Sequence, residues 1–160
     1  FKEKDFIILR TLGGNGNATF HLERSAEKNN SQAQELLSAI YFGGLEGCTD
    51  YVKARKYNEI LAQKNNSNAL FRLGYLYDEG LGVGQDYKKA KEYYELSAAQ
   101  NNPQALFCLG RLYEYGKGVK QDYLKSKEYY EMSSSLNNIE SYFSLGFLYF
   151  GVERDYVQAK

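Results

Sequence analysis

The chain repeats itself every 36 residues. The segment SNALFRLGYLYDEGLGVGQDYKKAKEYYELSAAQNN at 67–102 aligns without a gap on PQALFCLGRLYEYGKGVKQDYLKSKEYYEMSSSLNN at 103–138. A looser copy of the same length occupies 31–66, and another begins at Ile139 with a connecting loop three residues shorter. A period of this length marks stacked supersecondary units, none of which buries its apolar face alone.

Each unit reads as two helices. In the unit at 67, Ala69, Leu73, Leu76 and Tyr77 share one face of the first helix. Ala90, Tyr93, Tyr94, Ser97 and Ala98 form the amphipathic stripe of the second. Asp86, Asp122 and Asp155 stand where a second helix begins and suit N-caps. Asn pairs at 29–30, 65–66, 101–102 and 137–138 close one unit and open the next: the first Asn suits a left-handed helix end, the second an N-cap. Pro103, at a first helical position, loses nothing by lacking an N–H.

Gly74, Gly110 and Gly146 interrupt the first helices, where each costs about 1 kcal/mol relative to Ala. That recurrence predicts close approach by a neighbouring helix, with small facing residues such as Ala90, Ala98 and Ser126. The expected fold is all-α, a right-handed superhelical solenoid of antiparallel helix pairs. Its expected division is an irregular or non-repeat leader at 1–16 and an array at 17–160. Within the array, 17–30 is a degenerate half unit and 139–160 a truncated one.

Composition narrows the function. Lys plus Arg balance Asp plus Glu at 20 each, so no basic field would recruit nucleic acid. No apolar run approaches the roughly 18 residues that span a bilayer, which argues against membrane insertion. Two cysteines, Cys48 and Cys108, show no metal-ligand spacing. Sequons at Asn17, Asn29 and Asn65 would permit glycosylation, but the same residues serve helix ends, so a cytoplasmic setting is favoured over the endoplasmic reticulum lumen. The abundant tyrosines are mainly packing: all but Tyr75, Tyr115 and Tyr142 fall in repeat columns.

The pattern A-x-x-x-L-G-x-x-Y, then G-x-G-V, D-x-x-K-A, an aromatic and a small pair, resembles the Sel-one-like repeat (SLR), a relative of the tetratricopeptide repeat. In the unit at 67 the matching residues include Ala69, Leu73, Gly74, Tyr77, Gly80, Gly82, Val83, Asp86, Lys89, Ala90, Tyr93, Ala98 and Ala99. The next unit repeats them with Ser126, Ser134 and Ser135 in place of alanines. The unit at 31 departs, with Ser38 in the glycine column and GGLEGCT instead of G-x-G-V. The resemblance implies an adaptor or scaffold rather than a reaction.

The stretch RTLGGNGNATFHL, at 10–22, resembles something else: the glycine-rich loop of a protein kinase, with Leu12, Gly13 and Phe20 in place. Asn15 and Ala18 would occupy the second and third glycine positions, and neither H-R-D nor D-F-G follows. In repeat register, Asn17 to Asn30 reads as a second helix, which places His21 in the column of Tyr57, Tyr93 and Tyr129 and predicts a packed rather than a catalytic histidine. GLGVGQD, at 80–86, lacks the Lys-Ser/Thr of a phosphate loop and recurs as GKGVKQD, so it reads as a helix connector.

Columns that vary between units are free for recognition. On the first helices these are Asn68, Arg72, Tyr75 and Glu79, then Gln104, Cys108, Arg111 and Tyr115, then Glu140, Ser144, Phe147 and Gly151. The expected partner-binding residues are Arg72, Tyr75, Glu79, Arg111, Tyr115 and Phe147, lining a groove, with Cys108 on the same open face. Arg and Tyr are favoured at binding hot spots. The expected partner is a protein or peptide, an acidic segment with apolar anchors, since guanidinium groups pair with carboxylates. No catalytic residue, cofactor or metal site is expected. The favoured function is a non-enzymatic interaction scaffold, and the alternative is a regulatory arm of a larger enzyme such as a protein kinase.

Overall fold

The computed structural model describes residues 16–44 and 49–158, with side chains described from 18 to 150 within those ranges. Eight helices occupy the described residues, and no strand occurs among them. In chain order they are α1 (Gly16–Glu27), α2 (Ser31–Gly43), α3 (Tyr51–Gln63), α4 (Ser67–Glu79), α5 (Tyr87–Ala98), α6 (Pro103–Tyr115), α7 (Tyr123–Ser135) and α8 (Ile139–Gln158). Each packs on its chain neighbours, and the first helices α2, α4 and α6 also touch in succession. The result is a helical solenoid.

Two kinds of corner set its geometry. Between units the chain turns in three or four residues, the last two of them asparagines. Asn29, Asn65, Asn101 and Asn137 all take a left-handed backbone, with φ of 63°, 57°, 58° and 63°. The next Asn then caps the following helix: the Ala33, Ala69, Ala105 and Ser141 backbone N–H groups donate to the Oδ1 atoms of Asn30, Asn66, Asn102 and Asn138. Within a unit the turn is longer. Asp86 and Asp122 cap α5 and α7 as expected, and Asp50 caps α3 in the same way. The loop before Asp122 passes so close to the preceding unit that a Cβ at Gly118 would lie 2.6 Å from that of Tyr87. Only glycine fits there, with φ of 69°.

The helix-interior glycines do mark close approach, but not by small residues. A Cβ at Gly110 would lie 2.5 Å from Cε1 of Tyr130, and one at Gly74 would lie 2.5 Å from Cδ1 of Tyr94. Each ring lies on bare helix backbone and is fully buried. Its hydroxyl then donates one turn further along, from Tyr94 to Asp78 Oδ2 at 3.1 Å and from Tyr130 to Glu114 Oε2 at 2.5 Å. Ala90 and Ser126 are buried too, though they are not what meets the glycines.

The first full unit solves the same position differently. Ser38 stands in the glycine column and Asn58 in the tyrosine column, and the Ser38 hydroxyl donates to Asn58 Oδ1 at 2.6 Å. A second stack repeats on another part of each unit. Tyr41 on Tyr57, Tyr77 on Tyr93 and Tyr113 on Tyr129 lie with ring centroids 6.2, 5.7 and 5.7 Å apart. Lys53, Lys89 and Lys125 sit over the first ring of each pair, at 4.9, 5.2 and 5.1 Å.

Three expectations are corrected. His21 is exposed on α1, its ring edge-on to Phe20 at 5.5 Å, rather than packed in a tyrosine column. The stretch from Gly16 through Leu22 is helical, so the second strand of a kinase-like loop does not form, while residues 1–15 lie outside the described residues. Finally, α8 runs on through Asp155 as one helix of 20 residues, so Asp155 lies inside a helix rather than before one and the last connector is absent. The local reason is composition: Val152, Glu153 and Arg154 replace the G-x-G-V turn, and no pair of glycines takes positive φ there.

Candidate functional site

The variable columns of the first helices do not share one environment. Arg72 is half-buried on α4. Its Nη1 donates to Ser38 Oγ at 3.1 Å, and its guanidinium carbon lies 5.9 Å from the centre of the Phe42 ring. Burial works against its charge and lowers its pKa, with Glu35 opposing. Tyr75 leans on the same neighbour, 5.5 Å from Phe42, and its phenol pKa is raised chiefly by burial and secondarily by Glu79. Glu79 is exposed at the end of α4.

Cys108 is not on the open face. It is 7% exposed, inside the cluster of Ala90, Tyr94, Leu109 and Leu112, and burial pushes its thiol up to about 12. The correction has a geometric cause. Arg72, Cys108 and Ser144 share a column whose side chains reach back to the preceding unit: Arg72 to Ser38, Cys108 to Tyr94 and Ser144 to Tyr130. Arg72 differs from the other two in that it meets Ser38 where they meet a tyrosine.

Arg111, Tyr115 and Phe147 do come together. They border a cleft of about 720 Å³ between α6 and α8, floored by Phe107 and Tyr130 and walled by Phe143. Ile139 and Glu140 stand at its α8 end, and Glu114 and Ser144 complete it. Phe147 is 62% exposed and Tyr115 58%. Arg111 makes no hydrogen bond or ion pair with the described residues, but its charge reaches Asp78, Tyr75 and Cys108 and opposes the upward shift of each. Glu114, by contrast, already accepts from the Tyr130 hydroxyl.

Phe107 and Phe143 were missed in the sequence because their column, which also holds Phe71, repeats and so reads as packing. Two of the three do pack, with Phe71 and Phe107 lying 6.1 and 5.6 Å from Tyr94 and Tyr130. Phe143 instead meets Phe147 at 4.9 Å and stays 69% exposed. Gly146 keeps the column of Gly74 and Gly110, and nothing among the described residues lies within 4 Å of where its Cβ would be.

No group of three or more His, Cys, Asp or Glu side chains among the described residues could hold a metal ion. No described helix is long and apolar enough to cross a membrane. These helix pairs, stacked in register with a recurring capping and packing scheme, define an α-helical repeat solenoid. The Sel1 repeat matches residues 31–66, 67–102, 103–138 and 139–160, and the chain belongs to the Sel1 repeat family. Proteins of this family are generally interaction scaffolds and typically non-enzymatic.

Among solved structures, the chain is similar to a protective antigen present in uropathogenic Escherichia coli strains, displaying an SLR fold. The identity is 30% and the TM-score 0.73, over 80% of this chain and 27% of that one, so the chain spans little more than a quarter of the antigen. A Sel1 repeat protein from Oxalobacter formigenes is also 30% identical, with a TM-score of 0.65 over 79% of this chain and 96% of that one. Helicobacter pylori cysteine rich protein B shares the fold at 23% identity, with a TM-score of 0.61 over 81% of this chain and 96% of that one. No curated protein matches the sequence.

Proposed function

We propose that this chain is a non-enzymatic scaffold that receives a peptide or protein segment along the first-helix face of α4, α6 and α8. Arg72, Tyr75, Glu79, Arg111, Tyr115 and Phe147 are its contact candidates. The supporting observation is Arg111, which borders an aromatic-walled cleft and has no hydrogen bond or ion pair within the described residues. Such a group is desolvated on binding with least cost when a carboxylate meets it, which favours an acidic segment with apolar anchors. The alternative, an arm of a protein kinase, rests on residues 10–22, whose described part is helical.

Panning a random linear-peptide library on the immobilised chain tests the reading. Enriched peptides should combine acidic and large apolar residues and should lose binding to an Arg111→Glu, Phe147→Ala variant that melts like the parent. Enriched peptides that bind parent and variant alike would place recognition on another face. A library that yields no specific binder would remove the peptide-scaffold reading.

A further inference from the structure

We infer that Asp78 is a buried proton-binding site whose ionisation draws Arg111 inward, so that pH sets the charge presented by the first-helix face. The proton site stands on its own geometry, and its consequence for recognition rests on the scaffold reading above.

Asp78 lies near the C-terminal end of α4 and is 6% exposed. Its Oδ2 accepts from the Tyr94 hydroxyl of α5 at 3.1 Å, while its Oδ1 is buried with no hydrogen-bond partner among the described residues. The fold does not require an acid at this position. Phe42 holds the same column in the preceding unit, and in the following one Glu114, longer by a methylene, is only half-buried. A neutral carboxyl tolerates such enclosure far better than a carboxylate, which needs a cation or further donors.

The surrounding groups decide where that cation comes from. Tyr94 packs in one cluster with Cys108, Leu109 and Leu112 of α6, which brings the Asp78 carboxyl to the α6 side of the junction. Arg111 stands one turn beyond Cys108 on that helix and is half-buried. On α4 itself the neighbouring groups are Glu79 and Tyr75, and Tyr51 of α3 acts on Tyr75. Burial raises the Asp78 pKa, the Tyr94 hydroxyl lowers it, Glu79 raises it further, and Lys117 and Arg111 oppose. Of the two cations, Lys117 is already seated over the Tyr87 ring, 5.3 Å from its centre. Arg111 has no hydrogen bond or ion pair among the described residues, and a guanidinium keeps its charge at every relevant pH. The side chain able to turn inward is therefore Arg111. Below the folded pKa of Asp78 the neutral acid leaves the guanidinium on the face; above it the carboxylate takes the guanidinium.

The test follows the aspartate carboxyl-carbon and arginine Nε–H resonances of the full chain in an NMR titration from acid to neutral pH. Asp78 is the signal missing from Asp78→Asn, and its midpoint should lie above the ordinary carboxylate value. The Arg111 Nε–H signal should move with the same midpoint, and that movement should vanish in Asp78→Asn. Arg111→Gln should shift the Asp78 midpoint upward, Arg111→Lys should largely restore it, and Glu79→Gln should shift it downward. Library peptides enriched on the parent should bind Asp78→Asn more tightly than the parent at neutral pH. The two affinities should converge as pH falls through the Asp78 midpoint.

An Asp78 midpoint at the ordinary carboxylate value, or one unmoved by Arg111→Gln, would overturn the inference. So would an Arg111 signal indifferent to Asp78, which would leave Lys117 as the counter-charge. Equal peptide affinities of parent and Asp78→Asn at neutral pH would sink the control of recognition and leave the scaffold reading standing. A library without binders would remove the scaffold reading, and the titrations would still decide the proton site.

Discussion

Gly110 and Tyr130 form one unit of structure: the ring occupies the place where a side chain would begin. Any Cβ there must displace a fully buried tyrosine, so Gly110→Leu should cost at least the 1–3 kcal/mol typical of overpacking (about that scale). Cys108→Ala should also destabilise, by about 1 kcal/mol, because the thiol is buried among Tyr94 and Leu109 rather than exposed to solvent. Urea melts of the two variants check both values; a Cys108→Ala midpoint equal to the parent's would contradict the buried placement. Asp78 adds a pH dependence. Its Oδ1 is buried without a hydrogen-bond partner, and burial raises its pKa although the Tyr94 hydroxyl pulls the other way. An acid raised in the folded state stabilises when protonated, and that contribution is lost as pH rises through its folded pKa. Asp78→Asn should therefore raise stability at neutral pH, and the gain should shrink as pH falls through the carboxylate range. A gain that grew on acidification would reverse the assignment.

At the scale of the helix pair, the first full unit is a coordinated variant of its successors. Ser38, Asn58 and Arg72 replace Gly, Tyr and Cys at equivalent positions, and a chain of hydrogen bonds joins them. Asn58→Tyr alone should drive a ring into the Ser38 side chain, and Ser38→Gly alone should leave Asn58 without its donor. The triple change, with Arg72→Cys, should recover much of the loss. Neighbouring residues of this kind couple by roughly 0.5–3 kcal/mol, and a thermodynamic cycle measures it; strict additivity would show the three positions to be independent. The same coupling explains what was legible in the sequence. Columns such as Ala69, Leu73 and Leu76 repeat because each meets the same surroundings, so the core and both corner types could be read directly. The column of Arg72 and Cys108 varies in step with the glycine and tyrosine columns of the previous unit, and variation alone could not separate covariation from freedom. For the same reason Phe143 was not singled out: it keeps a packing residue's identity, and among the described residues its ring meets Phe147 of its own helix rather than a tyrosine of a second helix.

Across the whole molecule, the two edges of the stack differ in what sets their length. At one edge every passage between units is the same pair of asparagines, one left-handed and one capping, with both residues committed to helix ends. At the other, the path from Gly80 to Asp86 includes Gly84, which is exposed and meets nothing. A Gly-Ser tract of about six residues inserted at Gly84 should shift the melting temperature little, since loop entropy grows slowly with length. The same tract between Asn101 and Asn102 should be far more disruptive, and comparable melting temperatures for the two would refute the distinction. The asparagine edge thus acts as a ruler: it fixes the advance from one helix pair to the next. The opposite edge is free to acquire or lose sequence without altering that pitch, so ornament can accumulate there while the spacing of the first-helix face stays constant.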